Sequence, residues 1–157
     1  MKKLLAVLLS FVCLLSVAYA DNNILIGSYN IMAKDYFNIP QLDLKSYYLI
    51  NDTLTGGVAQ VFQDGHCAIG FITNEDGENI GALCIDQTND PGAFLLRCAC
   101  LMCVIDMWDE ANFHTLFFAY IQMNREPDSM YEAELRLKSK FTMINSKTGM
   151  AAYILGE

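Results

Sequence analysis

The chain has 157 residues, 54% of them hydrophobic and 18% charged, with ten basic against 18 acidic side chains and a formal net charge of −8. This balance excludes intrinsic disorder and a long charged coiled coil, which carry much more charge for their hydrophobicity. It also argues against nucleic acid as a partner, because a phosphate backbone repels an anion.

Lys2 and Lys3 precede an apolar run from Leu4 to Val17 that ends in Ala18-Tyr19-Ala20. A basic start, a short apolar stretch and small residues at the last and third-last positions describe a secretory signal peptide over residues 1–20. Cleavage removes two lysines and no acid, so residues 21–157 carry a charge of −10. No second apolar run reaches the roughly 18 residues of a membrane span. The expectation is an exported protein, periplasmic or extracellular, with a single domain over residues 21–157.

Leu25, Tyr29, Met32 and Tyr36 recur at intervals of four, three and four, which predicts a helix ending before Pro40. A short strand follows at residues 47–50. Residues 58–63 and 66–73 flank Asp64-Gly65, a dipeptide suited to a tight hairpin, and residues 78–86 return after a turn at residues 74–77. These three segments predict an antiparallel meander. Val61, Ala68 and Leu83 should share one face, and Phe62, Ile69, Phe71 and Ile80 the other.

Asp90-Pro91 is a helix start: a carboxylate to cap free amides and a proline where no amide bond is lost. The helix over residues 92–105 is apolar around nearly its whole circumference, and Arg97 is its one charge. A second helix, capped by Asp109 or Asp106, presents Phe113, Leu116, Phe117, Tyr120 and Ile121 as its expected core face. Residues 131–143 then alternate as a strand, paired in a C-terminal hairpin with residues 150–155. The predicted fold class is α+β: a three-stranded meander plus a C-terminal hairpin, packed by two consecutive helices and an N-terminal helix.

Cys67, Cys84, Cys98, Cys100 and Cys103 remain after cleavage, an odd number that cannot pair fully within one chain. A four-residue tip at residues 74–77 makes facing positions sum to 151 and sets Cys67 opposite Cys84, a possible disulfide; a shorter turn separates them. Cys100 and Cys103 share one side of their helix and form a possible thiol or metal site, while Cys98 points away from both. They lie some ten residues from the helix start, so a raised pKa and low reactivity are expected. His66 and Cys67 point to opposite faces of a strand and do not act as a pair.

Arg136, Lys138 and Lys140 form a possible anion or partner surface if they line one strand face; a solvated face balanced by cross-strand acids is the plainer expectation. No cofactor motif or catalytic elbow is present. The function expected is a non-catalytic binding or interaction domain for an unknown protein or small ligand. The alternative is a small enzyme or metal carrier that uses the cysteine-bearing helix.

Overall fold

A computed structural model describes residues 22–106 and 109–156 of the chain. The signal peptide expected over residues 1–20 lies outside the described residues. Among the described residues the architecture is α+β: three α-helices and one seven-stranded antiparallel sheet. No helix among the described residues is long and apolar enough to cross a membrane.

Helix α1 (Asn22–Met32) continues into a π-helical turn, Ala33–Phe37. Strands β1 (Tyr47–Asn51), β2 (Val58–Gln63), β3 (Cys67–Thr73) and β4 (Asn79–Asp86) follow as successive neighbours. Helices α2 (Pro91–Ile105) and α3 (Glu110–Arg125) then carry the chain to the far edge of the sheet. From there β5 (Ser129–Glu134), β6 (Lys140–Ser146) and β7 (Gly149–Leu155) return inward, and β7 closes the sheet against β4 in the order β1-β2-β3-β4-β7-β6-β5.

The main core lies between the sheet and the helices. Leu25, Ile26 and Tyr29 of α1, Phe94, Leu101 and Met102 of α2, and Leu116 and Met123 of α3 meet Phe62, Phe71 and Phe141 of the sheet. A second cluster, Ala59, Val61, Ala68, Ile72 and Leu83, is buried on the opposite sheet face. Strands buried on both faces read as continuous apolar runs, as β3 does.

Several local expectations are corrected. The helical stripe through Tyr36 fails because the π turn takes five residues to close where an α turn takes four, so Ala33 turns inward and Tyr36 is exposed. In the first hairpin Gln63 faces Ala68, and Asp64 bonds across to Cys67. The two central turn residues are therefore Gly65 and His66. Gly65 takes φ +88, the left-handed value that a hairpin turn with glycine first requires.

In the second hairpin Cys67 faces Asp86 and Cys84 faces Ile69, so the expected direct opposition of Cys67 and Cys84 does not occur. The Asn74 side chain accepts bonds from the amides of Asp76 and Glu78, which builds a longer tip, and the register shifts between Ile72 and Thr73. A slip of two residues preserves which face each side chain occupies, so Val61, Ala68 and Leu83 still share a face. Ile80 departs from its predicted set and packs with them. Beside it Gly81 has no room for a side chain, since a Cβ there would stand 2.4 Å from the carbonyl oxygen of Ile154 on β7.

The alternating run over residues 131–143 is two strands, not one. It breaks at residues 135–139, where Leu135 and Ser139 bond across a turn and Lys138 takes φ +69. Ala133 faces Phe141, so odd positions stay on one side through the turn and the alternation looks unbroken in the sequence.

Candidate functional site

The α2 helix begins as its sequence dictates. Asp90 caps it by accepting the Ala93 amide at 3.1 Å, with Pro91 in the first helical position. That start fixes the rotation of an otherwise uniformly apolar helix and sends Arg97 inward beside the first hairpin. The Arg97 side chain is 3% exposed and pairs through Nε with Asp64, whose side chain is fully buried. Its Nη1 donates to the Ala93 carbonyl at 2.9 Å. Asp64 also accepts the amides of His66 and Cys67, so one carboxylate closes the hairpin turn and anchors it to the helix.

Around this ion pair lie the thiols. All five described cysteines are free; Cys67, Cys84, Cys98 and Cys100 are buried and Cys103 is half-buried. Cys67 and Cys84 lie near one another, as do Cys84 and Cys98; Cys84 disfavours ionisation of Cys67, and Cys98 that of Cys84. The Cys67–Cys84 approach is diagonal across the strands rather than direct, and Cys98 reaches them from α2. Cys100 turns toward α1 and donates to the Tyr29 carbonyl at 3.8 Å.

These environments suppress thiol reactivity. The Cys84 thiol beside it and then burial hold the Cys67 thiol far above its ordinary range, and burial does the same to Cys84 and Cys100. Burial pushes Cys103 up to about 12. A nucleophilic or metal-binding cysteine needs the opposite, a lowered pKa and an open approach. Among the described residues no group of three or more His, Cys, Asp or Glu side chains could hold a metal ion. The histidines lie at the surface, His66 4.0 Å from Asp90 and His114 3.7 Å from Glu110.

Tyr29 crosses this cluster edge-on to Phe71, and its buried hydroxyl has no hydrogen-bond partner among the described residues. A buried, unpaired hydroxyl costs about 1–3 kcal/mol of desolvation. Tyr29→Phe is therefore expected to leave stability unchanged or raise it by about 1 kcal/mol, measured by urea denaturation. A clear loss would mean that the hydroxyl has a partner.

The cations do not share a strand face. Arg136 and Lys138 belong to the turn between β5 and β6, and Lys140 begins β6. Arg136 pairs with Asp109, the cap of α3, and Lys140 with Glu132 across the hairpin. The Ala111 amide and then Arg136 hold the Asp109 carboxyl below its ordinary value. Buried Asp106 accepts from the Asn112 side chain at 3.0 Å and from the Leu137 amide at 3.2 Å, while Asn112 accepts the Arg136 amide. Arg136, Asp106 and Asn112 thus form a structural clamp that ties the β5–β6 turn to the ends of α2 and α3. The spacing of Asp106 and Asn112 around a helix start was the available signal for it.

That clamp accompanies the observed rotation of α3. Its buried residues are Asn112, Leu116, Ala119 and Met123; of the predicted face Leu116 is buried, and Phe117 and Ile121 are not. Phe113 and Tyr120 keep partial contact with the core. Phe117 is 51% exposed, Phe118 61% and Ile121 51%. Phe118 meets Tyr131 of β5 with ring centroids 6.0 Å apart, which extends the apolar surface onto the sheet edge.

A groove of about 410 Å³ lies between the start of α2, the end of α3 and the β6–β7 hairpin, lined in part by Asn89, Asn124, Asn145, Lys147 and Thr148. Several of its polar groups are internally engaged: Asn124 donates to the Tyr120 carbonyl, Asn145 to that of Met123, and Ser146 bonds with Thr148. Comparison of the chain with protein-family models, curated proteins and solved structures finds no match.

Proposed function

We propose that this is an exported interaction domain, acting without covalent or metal chemistry, that engages a protein partner through the outer face of α3. The observation that carries the reading is the exposed apolar face of α3. Four of the five described thiols are buried, whereas Phe117, Phe118 and Ile121 stand exposed on one helix. Contiguous exposed apolar side chains cost free energy unless something covers them. Glu110, His114 and Arg125 lie on the same helix within one or two turns of the patch, so the complementary partner surface is apolar at its centre and polar at its rim.

Titration of the folded mature protein with a thiol reagent separates this reading from the enzyme or metal-carrier alternative. At most Cys103 should react before unfolding. Rapid modification of Cys100 together with Cys103, or stoichiometric zinc or copper in the purified protein, would overturn it. A photo-cross-linking residue at position 118 should give a discrete adduct that one at position 147 does not, and Phe117→Asp should abolish it. Equal adducts from both positions would count against α3 as the contact face.

A further inference from the structure

The two edges of the sheet are built differently. At one end, β5 presents Glu132 and Glu134 along its length, side chains that discourage another strand from pairing there. The opposite edge, β1, reads Tyr-Tyr-Leu-Ile-Asn, with no charge and no proline. Leu49 is 64% exposed, and Tyr47 and Tyr48 are also exposed. Leu44 and Leu54, just beyond its two ends, are exposed as well.

Backbone geometry identifies what such an edge accepts. Asp52 donates its amide to Gly57 of the neighbouring strand segment, so Tyr48 and Ile50 also direct their backbone groups toward β2. Tyr47, Leu49 and Asn51 therefore turn their amides and carbonyls away from the sheet. Only an extended strand satisfies three donors and three acceptors at that spacing.

We infer that β1 pairs antiparallel with β1 of a second copy, about a two-fold axis at Leu49, to form a continuous fourteen-stranded sheet. In that register the outward-facing residues meet only outward-facing residues: Leu49 opposite Leu49, and Tyr47 opposite Asn51, in both directions. The same register brings the end carrying Leu44 alongside the partner's end carrying Leu54. The strand is self-complementary in hydrogen bonding and in apolar side chains, and its lack of charge lets two net-anionic chains approach there. The two helical layers then lie on the same face, and the α3 surface stays open.

Sedimentation equilibrium on the mature protein tests the pairing. The wild type should be dimeric. Leu49→Lys and Leu49→Glu, at an exposed site, should each keep the native circular dichroism and raise the dimer Kd about tenfold or more, because like charges face each other across the axis. Mixing the two variants should restore a heterodimer, since lysine then faces glutamate. A monomeric wild type, a Leu49→Lys dimer as tight as the wild type, or no recovery on mixing would overturn the inference. Binding of an added strand peptide by a monomeric wild type would assign the edge to a different partner.

Discussion

Replacing Arg97 with methionine is expected to destabilise the fold by about 3–5 kcal/mol, because it leaves the fully buried Asp64 carboxylate without its counter-charge. For a domain of this size that lowers Tm by about 10–20 °C. Burial alone would lower the Arg97 guanidinium pKa, but the hydrogen bond and charge of Asp64 outweigh it and hold the group above its ordinary value. The side chain therefore stays charged throughout the working range. Asp64→Asn keeps an oxygen for the His66 and Cys67 amides, so the double variant Asp64→Asn/Arg97→Met should recover much of the loss. Urea denaturation of the four proteins measures this; a cost below about 1 kcal/mol for Arg97→Met would mean that water reaches the pair.

The second large effect is alkaline unfolding. Cys67, Cys84, Cys100 and Cys103 all ionise later in the folded chain than the ordinary thiol value of 9.0, with Cys103 near 12. Below pH 9 both folded and unfolded states keep these protons, and the stabilisation is fully present. Above it the unfolded chain releases protons that the folded chain retains, so stability falls as pH rises. Each retained proton contributes about 1.4 kcal/mol per pH unit, so four together give a slope of about 5 kcal/mol per unit. Tyr153, raised to about 12 by burial and then by Asp52, adds to the slope at higher pH. A cooperative transition between about pH 9 and 11 should appear in circular dichroism together with thiolate absorbance. Cys103→Ala should make it shallower by one proton. Stability unchanged to pH 11 would sink this account.

Both effects involve α2, which carries Arg97, Cys100 and Cys103, while Cys67 and Cys84 come from β3 and β4; much of that helix was readable in advance. Asp90 and Pro91 mark its start because capping and a missing amide are local properties of two adjacent residues. The burial of its thiols follows from an apolar circumference of 15 residues. The partner of Arg97 was not readable, since Asp64 lies 33 positions away and looks in sequence like an ordinary turn residue. The faces of the meander survived an error in register, because a two-residue slip in a strand leaves the pleat unchanged. Opposition of particular residues, such as Cys67 with Cys84, did not survive it.

The α3 helix marks where hydrophobicity misleads. Periodicity ranks Phe117 and Ile121 above Ala119 and Asn112, yet the latter two face inward. Asn112 is held there by Asp106 and the Arg136 amide, and Ala119 lies on the same stripe as Leu116 and Met123. Polar contacts from a distant turn accompany this rotation, which leaves Phe117 and Phe118 outside.

By itself the sequence determined the α+β class, the cap of α2, the burial of the cysteines and the two-faced character of the central strands, since each depends on residues close together in the chain. Only the tertiary structure decided the strand registers, the break at residues 135–139, the pairing of Arg97 with Asp64, and which side of α3 faces solvent. Those are agreements between segments tens of residues apart, where hydrogen bonds, charge pairing and packing against a neighbour outweigh local propensity.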